Sequence, residues 1–276
     1  MQKYMESQLL IAERKFDLRQ WVLVTDWNPL TIYFYDECYA RFTSHKFTDA
    51  RESLDNPLIH LVNNSIQKDG KQFHEAVDAE NGVPIEDCMW TQGDFADFLN
   101  WKMERTDASS PYLEKCKEAS DVFKDVVQPE MQKIAVEVLQ CARDSIEHRK
   151  KSWELYGYDF MVDGELRPWL IEVNSSPACD YSTKVTERYV KKALVDILKV
   201  TIDRREWERA PHGDEPDTGG WIPVHKGPFV ETPIASLTGG DIFAEGKKVE
   251  APRAIQRRAR AAAKKLLAAK QLREER

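Results

Sequence analysis

Tyr158–Asn174 reads YDFMVDGELRPWLIEVN. Tyr158–Val162 and Trp169–Asn174 are rich in β-forming residues, and Asp163-Gly164 between them is a turn dipeptide, so the stretch is expected to be a β-hairpin. Side chains alternate along a strand, which puts Glu172 and Asn174 on one face and Ile171 and Val173 on the other. Whether the turn is the tight Asp163-Gly164 one or a wider loop reaching Pro168, Asp159 is expected on the Glu172/Asn174 face. A slip of one residue would bury the carboxylates and expose the aliphatics. Two carboxylates and an amide oxygen on one face suit a hard cation such as Mg²⁺, which takes one or two carboxylates and completes its octahedron with phosphate oxygens and water. Taken alone, the same face reads first as the solvated side of an antiparallel sheet, and the rest of the chain reverses that.

Working outward, Arg14–Val24 (RKFDLRQWVLV) alternates in the same way. Lys15, Asp17 and Arg19 fall on one face, with Phe16, Leu18 and Trp21 assigned to the other. A Lys, an Asp and an Arg in a row suit an anionic, hydroxyl-bearing ligand such as a nucleotide: arginine grips phosphate or carboxylate as a fork, lysine as a point charge. A self-neutralising charged face is the bland alternative. The strand should turn at Asn28-Pro29 into TIYFY. Arg41 follows between Tyr39 and Phe42, either a second anion clamp or a stacking partner of those rings. Asn63 and Asn64, in HLVNNSIQK, read as turn residues.

Asp69–Asp87 and Thr106–Pro111 read as loops. Met89–Trp101 holds a short helix capped by Thr91 or Asp94, with Trp90, Phe95, Phe98 and Trp101 as packing residues rather than a cofactor box. Asp121–Arg149 is the longest helical pattern, its apolar stripe running through Val122, Val126, Met131, Ile134, Val138, Cys141 and Ile146. A second amphipathic helix is expected from about Ser182 to Arg204, burying Val185, Tyr189, Leu194, Ile197 and Val200. Pro211–Gly220 is a loop by composition, and Trp221–Val230 is expected to add a short strand. Ala254–Arg273 is rich in helix formers with a thin apolar stripe, which predicts a basic helix that either touches an acidic polymer or stands in solvent.

The 276 residues suffice for one large or two small domains with ample core. A net charge of −7 argues against a basic nucleic-acid binder, although Ala251–Arg276 carries nine basic residues against two acidic ones. Five scattered cysteines without a CxxC pair argue for a reducing compartment and against a disulfide framework or a zinc site. No signal-peptide pattern and no long apolar run are present, so neither secretion nor a membrane span is expected. The opening MQKYMESQLLI starts in apolar material, which leads us to expect the C-terminal part of a larger unit or an incomplete gene model.

RKFDLRQWVLVTDWNP, HLVNNSIQK, YGYDFMVDGELRPWLIEVNSSP and a leading QKY, in that order over roughly the first two hundred residues, resemble the tubulin–tyrosine ligase-like family. The resemblance implies an α+β, ATP-grasp-like fold, here its C-terminal portion with an antiparallel sheet and packed helices, the N-terminal lobe being missing. It implies ATP and Mg²⁺ as cofactors, and an amide bond formed between an amino acid and a tubulin carboxylate that ATP has phosphorylated. By resemblance, Gln2, Lys3 and Tyr4 match a hinge strand against adenine. Lys15 and Asp17 match nucleotide contacts, Arg19 and Arg41 a pair handling the acceptor or amino-acid carboxylate, and Asp159, Glu172 and Asn174 the magnesium ligands, with Asn174 also near the nucleotide.

LVTDWNPLTIYFY, Asn63-Asn64, PIEDCMWTQGDF, NSSP, STKVTERY and DTGGWIPVHKGP look most like the glycine-adding branch. The expected partners are then glycine and the acidic C-terminal tails of tubulin in microtubules, and the expected location is the cytoplasm, cytoskeleton and ciliary or flagellar axoneme. A glutamylase, a tyrosine ligase or a catalytically inactive microtubule-binding module are the competing readings. The expected organisation is a partial catalytic domain over 1–205, its C-terminal extension over 206–232, and a disordered-to-helical basic tail over 233–276.

Overall fold

In the computed structural model the strand expected over Arg14–Val24 is β1, Phe16–Trp27. It turns at Asn28-Pro29 into β2, Leu30–Phe42, as that dipeptide predicts. Two short helices follow, α1 (Pro57–His60) and α2 (Asn64–Gln67). The stretch read as a loop over Asp69–Asp87 contains a two-stranded ribbon, β3 (Val77–Asp78) and β4 (Pro84–Ile85). Next come β5 (Met89–Thr91) and α3 (Gln92–Met103). Thr91 caps α3 in a reciprocal box with Asp94, so both candidate caps are used. Helix α4 (Pro111–Glu118), capped by Ser110, was not foreseen because eight residues carry little periodic signal. The long helical pattern becomes a π-helical turn (Phe123–Val127) running into α5 (Gln128–Ala142) and a 3₁₀ turn ending at Ser145. The central hairpin is β6 (Glu154–Val162) and β7 (Pro168–Asn174). After it come α6 (Lys184–Leu198), a π-helical turn to Arg204, α7 (Arg205–Arg209) and the expected last strand, β8 (Trp221–Lys226).

The structure describes residues 5, 7–50, 53–107, 109–146, 149 and 151–230. Gln2, Lys3, Tyr4 and the expected basic helix over 254–273 lie outside them.

Five strands pair antiparallel in the order β5-β2-β1-β6-β7, and β8 pairs with the other end of β2. The fold is therefore mixed α and β, with an antiparallel sheet at its centre. β1 lies mid-sheet and both its faces are covered. Phe16, Leu18, Val22 and Val24 join one core with Phe34, Phe42, Tyr158 and Phe160, beneath residues of α3, α4 and α5. Trp21 and Leu23 join the opposite core with Tyr33, Tyr35, Tyr39 and residues of α6. Trp21 is thus on the same face as Lys15, Asp17 and Arg19, which corrects its assignment beside Phe16 and Leu18; strict period two puts all odd positions of β1 together. That face is charged at one end and aromatic at the other, because α6 covers only the aromatic end.

Two helix stripes differ in detail from expectation. Cys141 is exposed at the end of α5, where the core has run out. Leu194 is exposed on α6, while Thr186, Val190, Ala193 and Asp196 share the buried face with Tyr189 and Ile197. On β7 both Ile171, at 38%, and Val173, at 37%, are exposed, since β7 is an edge strand at which the described sheet ends, and Ile171 lies beside Glu172 rather than sharing the face of Val173 as expected.

Candidate active site

The hairpin takes a wide loop for a specific reason. Asp163 Oδ1 accepts hydrogen bonds from the backbone N–H groups of Glu165 and Arg167, both at 2.9 Å, and its Oδ2 accepts one from Trp169 Nε1. Leu166 sits in the loop at φ +67° and is wholly buried. Next to this loop Val162 pairs with Pro168 and Phe160 with Leu170, a register that by itself would set Asp159 opposite Ile171. That is the odd slip the sequence reading excluded. A β-bulge between Phe160 and Asp159 absorbs Ile171 as the extra residue, and Asp159 then pairs with Glu172 and Gly157 with Asn174. The bulge, not the turn, returns all three polar residues to one face.

Register also pairs the charges across the sheet. Asp17 lies opposite Arg41, Arg19 opposite Asp159, and Asp159 opposite Glu172. Arg19 Nε donates to Asp159 Oδ1 at 2.5 Å and its Nη2 to Oδ2 at 3.1 Å. Arg41 Nε donates to Asp17 Oδ1 at 2.7 Å, and its Nη2 contacts both Asp17 Oδ2 and, at 3.0 Å, Asp159 Oδ2. The result is a buried chain Asp17–Arg41–Asp159–Arg19 with no net charge. Arg41 is a fork on Asp17 rather than a stacking partner of Tyr39 or Phe42. Lys15 is also buried, its Nζ 4.4 Å from the centre of the Phe47 ring.

The electrostatics follow from this chain. Burial works against the charge on Asp159, but Arg41 and Arg19 outweigh it and hold the carboxyl below its ordinary range. Asp17 is more enclosed; burial pushes its carboxyl up despite Arg41, and the neighbouring Asp159 charge adds to the rise. Burial acts to lower Arg41, and Asp17 and Asp159 more than reverse it, so the guanidinium stays charged.

Asn174 ties the edge together. Its Nδ2 lies 3.3 Å from Asp159 Oδ2, 3.2 Å from Glu172 Oε1 and 3.3 Å from the Gly157 carbonyl. Turning the amide over would present Oδ1 at the same point beside the two carboxylates. Two carboxylates and one amide oxygen are the donor set that Mg²⁺ uses when phosphate and water complete its shell, so the residues fit that ion. Among the described residues no cluster of three or more His, Cys, Asp or Glu converges on a point, so an ion held here would take several of its ligands from substrate and water.

Two cavities flank the charged chain. One, of about 390 Å³, is lined by Lys15, Asp17, Asp159 and Glu172 together with apolar Leu61, Met161 and the bulged Ile171. The other, of about 340 Å³, is lined by Arg19, Asn64, Lys68, Asn174, Asp180 and Thr186. Arg41 and Asn63 belong to both. Asn63 does cap α2, as a turn residue would, with its Oδ1 accepting from Ser65 N at 3.0 Å. Sequence reasoning had not placed Ile171, Lys68, Asp180 or Thr186 at a site. The HLVNNSIQK motif was the signal available for Lys68; for Ile171 no local signal exists.

A family model described as the tubulin-tyrosine ligase family matches residues 1–208. The chain is 41% identical over 254 residues to a Danio rerio protein named tubulin monoglycylase TTLL3, an alignment covering 92% of this chain and 29% of that protein. It is 39% identical over 246 residues to tubulin glycylase 3C of Tetrahymena thermophila, covering 89% and 21%. It is 37% identical over 252 residues to the protein monoglycylase TTLL8 of Mus musculus, covering 91% and 26%. The chain therefore spans less than a third of the length of each of these relatives.

Proposed function

The chain belongs to the tubulin-tyrosine ligase family, and on that premise we propose that it carries part of an ATP-grasp ligase that adds glycine to glutamate side chains of tubulin tails. The supporting observation is the pair of cavities that meet at Arg41 and Asn63, with the Mg²⁺-type donors Asp159 and Glu172 lining one and Asn174, hydrogen-bonded to both carboxylates, lining the other. Relatives named as glycylases, similar over about nine-tenths of the chain, support glycine as the amino acid added.

In this reading the larger cavity takes the phosphate end of ATP. Lys15 neutralises phosphate, Asp17 orients the nucleotide side, and Met161 and Ile171 wall it against water. Gln2, Lys3 and Tyr4, outside the described residues, are assigned to the adenine by the family resemblance alone. Mg²⁺ held by Asp159, Glu172 and Asn174 neutralises the phosphate oxygens when bound. The acceptor glutamate oxygen attacks the γ-phosphorus, the bond to the β-phosphate oxygen breaks, and ADP leaves. The glycine amine then attacks the acyl carbon, the C–O bond to phosphate breaks, and the amine gives up a proton as inorganic phosphate departs. Arg41 and Arg19 are the groups proposed to meet the transferred group and the substrate carboxylate; their forks on Asp17 and Asp159 orient the guanidinium donors before charge moves. An acidic acceptor on microtubules implies work at the cytoskeleton, with the axoneme as the proposed site.

The test is incorporation of labelled glycine into tubulin or a glutamate-bearing tail peptide by the intact protein with Mg²⁺-ATP. Glycine entry that disappears in Glu172→Ala is the expected result. Incorporation of glutamate or tyrosine instead would move the chain to another branch of the family, and no incorporation of any amino acid would overturn the ligase reading.

A further inference from the structure

A cavity of about 510 Å³ opens at the opposite end of β1 from the charged chain, where α7 and β8 meet the β1–β2 turn. Lys151, Arg204, Arg205, Arg209 and Lys226 line it against Asp26 and Glu208, and with Glu215 paired to Arg204 the excess is two positive charges. The whole chain carries −7, so this excess runs against the average of the molecule. Two of the guanidiniums are held in place. Arg205 donates to the carbonyls of Thr25 at 3.2 Å and Lys151 at 3.3 Å, and Arg204 is gripped by Glu215 and by Glu208 at 3.6 Å. Lys226 lies 3.6 Å from Glu208. Arg209 and Lys151 are exposed on the wall, and buried Tyr33 and Val200 also face the cavity. Fixed guanidiniums, exposed outer cations and an apolar patch together suit carboxylate side chains carried on a polypeptide.

We infer that this cavity is a second docking point for the acceptor polypeptide, taking acidic side chains several residues away from the glutamate being modified. The inference rests on the acidic acceptor proposed above. The spacing can be read from the fold. Arg19 at the acceptor-side cavity and Thr25 at the basic one are six residues apart on β1, roughly 20 Å at strand rise. The helical run from Thr186 to Arg205 joins the same two cavities along roughly 28 Å. An extended peptide covers 20–28 Å in about six to nine residues. Holding a flexible acidic tail at a second point raises the effective concentration of its acceptor glutamate at the first.

The experiment measures anisotropy of a labelled glutamate-rich peptide of about twelve residues on the intact chain. Lys151→Glu with Arg209→Glu should weaken binding by at least about tenfold, and the neutral pair Lys151→Gln with Arg209→Gln should fall between that and wild type. Both changes are at exposed side chains, and thermal melting confirms the fold of each variant. In peptides with one acidic cluster, placing it about eight residues from the acceptor glutamate should bind more tightly than placing it about three away. Unchanged affinity in the charge-reversed protein, or no preference for the longer spacing, overturns the inference. Binding needs no ligation step, so this outcome is separate from that of glycine incorporation.

Discussion

Arg19 and Asp159 are 140 positions apart in sequence and directly opposite each other across β1 and β6, joined by two hydrogen bonds of 2.5 and 3.1 Å in a site where both side chains are under a tenth exposed. Asp159 is at once the shared partner of two arginines and a proposed metal ligand. Removing it leaves two buried guanidiniums with one carboxylate between them. Asp159→Ala should therefore destabilise the fold by about 3–5 kcal/mol. The double change Arg19→Met with Asp159→Leu should cost less than Asp159→Ala alone, because no unpaired charge remains at that pair. Urea denaturation of the three proteins decides this.

Glu172 separates chemistry from stability. It lies at the sheet edge, exposed, and its contact to Asn174 is a single hydrogen bond. Glu172→Ala should change stability by no more than about 0.5 kcal/mol. It should nonetheless abolish glycine incorporation and the Mg²⁺ dependence of nucleotide binding, read by titrating nucleotide with and without the ion.

Gly157 sits under the site. A Cβ there would come within 2.9 Å of Pro177 Cβ and 3.3 Å of Arg19 Nη1. Gly157→Ala should push Arg19 off its place. A misplacement of about 1 Å costs up to about a hundredfold in rate, so kcat should fall much more than the melting temperature. Equal activity in a Gly157→Ala protein would mean that Arg19 has room to spare.

Glu37 fastens β2 to α6, accepting from Lys192 at 2.7 Å and Arg188 at 3.1 Å. Burial acts to raise its pKa, but the hydrogen bonds from the two cations prevail and hold the carboxyl below its ordinary range. A lowered folded-state pKa adds stability above the unfolded value of about 4.3 that is lost as pH falls through the folded one. Wild type should thus lose more melting temperature than Glu37→Gln between neutral pH and the acid side of that range. Parallel melting curves would show that the contact contributes nothing.

Gly219 closes the other end of α6. It adopts φ +63°, and a Cβ would overlap the Asp196 carboxylate, which accepts a hydrogen bond from Gly220 N at 3.0 Å. Gly219→Ala should cost about 2 kcal/mol or more through backbone strain and the displaced carboxylate. The loss of Trp221 burial against the Ala193 carbonyl should show in its fluorescence.

The glycine and tryptophan of DTGGWIPVHKGP were legible as a motif and as the junction of a loop and a strand, but not as a contact. In the fold they form a latch over Asp196 and Tyr35 that aligns β8 on β2. The same limit applies at Asn63 and Asn64, which read as turn residues and prove also to line the cavity beside Arg19. Local reading finds a residue that favours a turn, but it cannot tell which distant surface that turn is folded against.

What the sequence by itself determined is local and periodic. Period two along a strand put Lys15, Asp17 and Arg19 on one face and grouped Glu172 with Asn174, and ordered motifs identified the family. Only the tertiary structure decided which charge meets which. Antiparallel register between strands 140 residues apart depends on how whole faces pack, on the buried Leu166 in its loop and on a bulge at Ile171 that shifts every pairing beyond it by one residue. No window of sequence contains both sides of that choice. Arg41 standing between two cavities is likewise a property of the assembled sheet and not of any of its strands.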